Sequence, residues 1–159
     1  EPSVGGGAFA RAVRQRWPSA RVHGIDVDDH AAGFLDCDTG TLGSLLDVAL
    51  PDADVAIGNP PYLHAEAHVR RLLERYPMVA MLLRVGFLAS AERIPFWREY
   101  PLTELHVISE RPSFTGDGAT DSQEYGWFVW NAQASPQRIR WINYSSGPGG
   151  LDTIRWRET

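Results

Sequence analysis

One short segment limits the fold of this chain more than any other. The largely apolar run Ala53–Gly58 (ADVAIG) passes straight into Asn59-Pro60-Pro61-Tyr62. A run of that length bounded by breakers reads as a buried strand. Two consecutive prolines then remove two backbone donors and fix the chain direction. The strand therefore stops at Asn59, where the carbonyls of Asn59 and Pro60 can turn outward as acceptors.

The flanking sequence alternates helix and strand. Ala8–Trp17 reads as a helix ended by Pro18, Arg21–Asp26 as a strand, His30–Asp38 as a short helix and Thr41–Leu46 as a strand. His64–Tyr76 has the spacing of an amphipathic helix with arginines outward. Met78–Leu88 is a buried strand, Ala91–Tyr100 a helix shortened or bent by Pro95, and Leu102–Ser109 a strand. Such alternation predicts an α/β domain with a mainly parallel sheet. After a polar loop, Arg111–Ser122, the strands Tyr125–Asn131 and Gln137–Tyr144 follow without helices, which predicts an antiparallel edge. The Gly-rich turn Gly5–Gly7 should follow a buried strand, yet four residues precede it. The expectation is one catalytic domain over 1–159, lacking its first strand here and entering partway through a motif as a fragment of a longer protein.

Composition excludes little. With 159 residues, 43% apolar and 22% charged, the chain has the balance of a soluble globular domain. No apolar run reaches the ~20 residues that span a bilayer, and no signal pattern is present. The single cysteine, Cys37, permits no internal disulfide and fits a reducing cytoplasm. A net charge of −5 offers a polyanion no overall attraction. All 15 basic residues are arginine, the better bidentate partner for phosphates and base edges.

Three constellations carry chemistry. Glu1-Pro2-Ser3-Val4-Gly5-Gly6-Gly7-Ala8-Phe9 opens a helix whose first N–H groups are free, and its glycines allow a ligand close to the backbone. No Gly-Lys-Ser/Thr follows, so it is not a phosphate-binding P-loop. Asp26 ends the second predicted element of the sheet, where a carboxylate can accept both hydroxyls of a ribose. Asn59-Pro60-Pro61-Tyr62 provides acceptors and a flat ring, which is what an exocyclic –NH2 group on an aromatic base requires. Holding the amine hydrogens frees its lone pair to meet an electrophile.

Together these residues resemble the class I S-adenosylmethionine-dependent amino-methyltransferases, in which N6-adenine and N4-cytosine DNA enzymes stand beside RNA and protein relatives. The resemblance implies a Rossmann-like fold and S-adenosylmethionine as cofactor. By the same resemblance, Glu1, Pro2, Gly5, Gly7 and Phe9 hold the methionine moiety, Asp26 binds the ribose, and Val27 lies beside the adenine. A third motif falls on Gly43-Ser44-Leu45-Leu46, which puts Ser44 where an Asp is usual and Leu45 next to it; Asp36 and Asp38 are the other candidates. The catalytic quartet is Asn59, Pro60, Pro61 and Tyr62, with Asn59 also against the cofactor. Ser109–Trp130 resembles phage-type adenine methyltransferases. There Phe114 would stack on a flipped-out base beside Tyr62, and Arg111 would contact phosphate. The implied substrate is DNA and the implied atom N6 of adenine, in a restriction-modification or phage setting. N4-cytosine, RNA and protein glutamine are the alternatives, as is a non-catalytic methyltransferase-like subunit. No large target-recognition domain is visible, so a partner domain or subunit would supply that role.

Two other patterns carry less. His64 and His68 sit four apart with Glu66 between them, but this is not His-Glu-x-x-His and no third ligand is evident, so no metal is expected. Cys37 lacks an activating histidine and reads as a packed thiol. Trp127 and Trp130 read as packing residues of their strand.

Overall fold

Gly7 starts the first helix from a left-handed conformation (φ 72°), and Ala8–Arg16 follows as α1. Arg14 and Arg16 in its last turn complement the helix dipole, and Pro18 forbids continuation. The computed structural model describes residues 1–110, 112 and 122–134, together with the backbone of 138–142. The chain divides into two units, Glu1–Met81 and Leu82–Thr159.

In the first unit, β1 (His23–Asp26) and β2 (Thr39–Leu42) pair in parallel, Asp26 opposite Leu42. Both are shorter than the sequence implies. The expected helix His30–Asp38 contracts to a 3-10 segment, Ala32–Asp36, because Gly33 must lie flat against the first turn. β2 begins at Thr39 and ends at Leu42, two residues earlier at its start and four at its end than expected. Gly43 then adopts φ 142° and turns the chain away.

β3 (Ala56–Gly58) pairs in parallel with Val79–Met81 of β4 (Met78–Arg84). Val79–Leu83 are all buried, as in a strand covered on both faces. Between these strands a 3-10 turn, Tyr62–His64, leads into α2 (Ala65–Leu73). Ala65, His68, Val69 and Leu72 form its buried stripe at i, i+3, i+4 and i+7. Burying a side chain such as Leu72 contributes about 1.5–3 kcal/mol. Arg71, expected on the outer face, instead donates through Nη2 to the Val48 carbonyl at 2.6 Å.

Residues 1–4 lie alongside β1. Pro2 forms a parallel bridge with Ile25, the Ile25 N–H donates to the Glu1 carbonyl at 3.0 Å, and the Val4 N–H donates to the Ile25 carbonyl at 3.1 Å. Below them a cavity of about 960 Å³ runs between Arg21–His23 and Ala53–Ile57 and is lined also by Leu72 and Tyr76.

The second unit contains α3 (Ile94–Glu99), β5 (Glu104–Ile108), β6 (Tyr125–Asn131) and β7 (Arg138–Ile142). Pro95 falls in the first turn of α3, where its missing N–H costs nothing, so of the two expected outcomes the helix is shortened, starting at Ile94. The antiparallel pairing expected of consecutive strands is present between β5 and β6. β7 joins the other edge of β5 in parallel. Phe87, Phe96, Trp97, Phe128 and Trp130 form one aromatic cluster, with Phe96 and Phe128 fully buried. Trp130 packs its strand, as expected, and donates to the Tyr100 carbonyl at 3.2 Å. Among the described residues, no helix is long and apolar enough to cross a membrane.

Candidate functional site

The first turn is held in place from three directions. The Gly5 N–H donates to Asp26 Oδ2 at 2.8 Å, the Gly33 N–H donates to the Gly5 carbonyl at 2.8 Å, and the Ala10 N–H donates to Glu1 Oε2 at 2.8 Å. Glu1 thereby caps α1 from nine residues away, satisfying a donor that a helix start leaves orphaned. Burial pushes its carboxyl up to about 7, with the adjacent α-ammonium, then the backbone N–H groups of Ala10 and Phe9, pulling the other way. Ser3 adopts φ 59°, as a non-glycine does only when its surroundings hold it there.

Gly7 and Gly33 meet back to back. A Cβ on Gly33 would stand 2.5 Å from the Gly7 nitrogen, and one on Gly7 would stand 2.6 Å from the Gly33 Cα. Gly33 was not among the residues singled out from the sequence. Its importance is a contact between distant segments, for which a lone glycine in a loop gives no signal. Gly5 and Gly6 differ: both are exposed, and a Cβ on either would meet nothing within 4 Å. The turn thus presents an open glycine surface on one side and a packed one on the other.

Asp26, at the end of β1, is half-exposed. Its two carboxylate oxygens accept the N–H groups of Gly5 and Asp28, at 2.8 and 3.1 Å. Each oxygen retains acceptor capacity, since a carboxylate offers about four lone-pair sites. Val27, next in the chain, is 71% exposed. Phe9 is half-buried.

The third motif lies just beyond β2. Leu45 is buried in the core, and the Ser44 hydroxyl accepts the Leu46 N–H at 3.2 Å within its own turn. Asp36 pairs with Arg11 at 2.6 Å, and Asp38 accepts the Val22 N–H at 2.7 Å and pairs with Arg14 at 2.9 Å. The Val22 N–H, followed by Arg14, keeps the Asp38 carboxyl below its usual range.

The segment Asn59-Pro60-Pro61-Tyr62 stands at the end of β3, next to the first turn, since Gly58 lies against Pro2. Pro60 is fully buried, which fixes the corner, and the Pro61 carbonyl accepts the His64 N–H at 3.0 Å, turning the chain into α2. Tyr62 is half-buried. Asn59 Oδ1 is buried and accepts no hydrogen bond among the described residues. A buried acceptor left in that state costs about 1–3 kcal/mol. Arg111 and Phe114 lie outside the described residues. Of the candidate residues, Glu1 and Pro2 line the 960 Å³ cavity, whereas Gly5, Gly7, Asp26, Asn59 and Tyr62 do not.

No family model matches the chain, and no curated protein matches it by sequence. Solved structures do. The chain is similar to the methyltransferase subunit of a type I restriction-modification system from Streptococcus thermophilus, with a TM-score of 0.64 and 14% identity over 91% of this chain and 42% of that one. It is similar to a chain of another type I restriction-modification system (TM-score 0.57, 14% identity), covering 96% of this chain and again 42% of the other. It also resembles the plantazolicin methyltransferase BpumL, solved with SAH (TM-score 0.53, 12% identity, 82% of this chain and 75% of that one). The chain therefore has the Rossmann-like methyltransferase fold, with parallel and antiparallel strands, and spans less than half the length of the restriction-modification subunits it matches.

Proposed function

We propose that this chain transfers a methyl group from S-adenosylmethionine to an exocyclic amino nitrogen, N6 of adenine in DNA. The observation that carries the reading is the buried Asn59 Oδ1, an acceptor without a donor among the described residues, set one residue beyond the contact with the first turn.

The residues fit the cofactor. Gly5 and Gly6 leave open space above the backbone, Asp26 retains lone pairs for two hydroxyls, and the exposed Val27 offers an apolar surface for a purine. Glu1, whose carboxyl is pushed up to about 7 by burial, is favoured in its ionised form by a nearby ammonium group. When bound, S-adenosylmethionine supplies an activated methyl group whose departure leaves a neutral thioether.

The chain's own part is orientation. Asn59 Oδ1 accepts an N–H of the target amine and holds its hydrogens away from the incoming methyl. That turns the nitrogen lone pair out of conjugation with the ring. Buried Pro60 keeps the acceptor from drifting, and Tyr62 offers a face for the base, where stacking contributes about 1–3 kcal/mol. Such positioning accounts for catalysis without a strong base. A base inside a duplex must first be extruded, which costs a few kcal/mol. Outside the described residues, Phe114 and Arg111 are proposed to stack on the base and to contact phosphate.

DNA is favoured as substrate by the likeness to two restriction-modification chains. In the same reading, a partner domain or subunit reads the target sequence. The test is transfer of tritiated methyl to separate DNA, RNA and protein pools, followed by mass spectrometry of the nucleosides. N6-methyladenine in DNA is the expected product. Label confined to protein or RNA, or found on cytosine, overturns the substrate while keeping the chemistry. Absence of transfer with cofactor bound favours the non-catalytic subunit.

A further inference from the structure

We infer that Gly58 is a positioning residue that holds the cofactor turn against the Asn59 corner, an inference that rests on the function proposed above. A Cβ on Gly58 would lie 2.7 Å from the Pro2 carbonyl oxygen and 3.4 Å from Cγ and Cδ of its ring. A real side chain does not approach a backbone carbonyl so closely, so one of the two segments would have to move.

Neither is free to do so cheaply. Pro2 is buried and bridged to Ile25, with hydrogen bonds on both sides of the bridge. Gly58 is buried and in register with Met81, itself 0% exposed. Gly58 does not have a left-handed φ, so conformational freedom is not what the position requires. It requires the lack of a side chain. Asn59, with its orphaned acceptor, follows directly on one side of the contact. On the other, the turn from Ser3 to Gly7 follows Pro2 and is tied to Asp26 through Gly5. One van der Waals contact therefore sets the distance between the cofactor turn and the amine acceptor. Methyl transfer depends steeply on such distances, a 1 Å misplacement being able to cost about 10²-fold.

The test compares Gly58→Ala with Val79→Ala, a buried substitution in β4 that loosens the same strand pair without pushing on Pro2. Two quantities are read well below the melting temperature: the dissociation constant of S-adenosylhomocysteine by calorimetry, and kcat for transfer to DNA. Gly58→Ala should weaken binding about fivefold and lower kcat about tenfold, with Val79→Ala within about threefold of the parent in both. If the two variants agree within that margin in both quantities, the inference is overturned. Should the parent transfer no methyl at all, the proposed function fails on its own. The binding comparison then decides the role of Gly58 alone, and equal affinities overturn it.

Discussion

The Gly5 N–H donates to the Asp26 carboxylate at 2.8 Å, joining the glycine turn to the end of β1 across twenty-one positions of sequence. A residue expected to bind a ribose therefore also fixes the loop that would cradle the rest of the ligand. Asp26→Ala removes the acceptor for both Gly5 and Asp28. It should lower stability by about 0.5–1.5 kcal/mol, since both bonds are exposed. The loss in cofactor affinity should be larger, about tenfold or 1.4 kcal/mol, when titrated by calorimetry. An unchanged affinity would argue that Asp26 is a loop tether only.

The two faces of the glycine turn predict opposite outcomes. Gly33→Ala drives a methyl to within 2.5 Å of the Gly7 nitrogen and should cost about 1–3 kcal/mol in urea denaturation. Gly6→Ala meets nothing within 4 Å and should leave stability within about 0.5 kcal/mol. If the open side receives the cofactor, Gly6→Ala should nonetheless weaken its binding. Full affinity in that variant would move the ligand elsewhere.

Asn59→Ala deletes the orphaned acceptor without disturbing a hydrogen bond made by its Oδ1 among the described residues. The folded stability should hold or rise slightly, because a buried unsatisfied group is removed. Transfer should fall by about 10²-fold or more, the scale seen when a positioned polar group is removed from a catalytic site. Loss of cofactor binding in a folded Asn59→Ala protein would contradict the assigned role.

His68 supplies a pH dependence. Burial, and then the neighbouring His64, lower its pKa below 6.5, and its Nδ1 is buried without a hydrogen bond among the described residues. The unfolded chain then takes up a proton near pH 6.5 that the folded chain refuses, so stability present above that pH is lost as acid is added. His68→Leu should flatten this fall. Melting curves at pH 8 and pH 5.5 should show a gain for the variant that is greater at the lower pH.

Much of this was legible from local sequence. Tyr125–Asn131 forms a strand over the whole expected span, and the alternation of element types placed β3 directly before Asn59. Both signals are local: a β-branched and aromatic run, and a pair of prolines that no regular element can absorb. The Gly turn likewise announced itself by composition. Element ends were less legible. The 3-10 segment Ala32–Asp36 answers to Gly33, whose role arises from the remote Gly7, and the early close of β2 to the positive φ of Gly43.

What the chain's order of residues determined by itself was which segments become strands and where the Asn59-Pro60-Pro61 corner is set. Backbone chemistry at glycine and proline dictates both before any packing occurs. The tertiary structure alone decided which candidates stand free. It drew Leu45 into the core, tied Asp36 and Asp38 to arginines, and left Asn59 Oδ1 buried without a donor among the described residues. It also brought Pro2 against Gly58, a contact across fifty-six positions that no local pattern encodes. The physical reason is that burial and steric contact depend on segments meeting in space, whereas propensity depends only on neighbours along the chain.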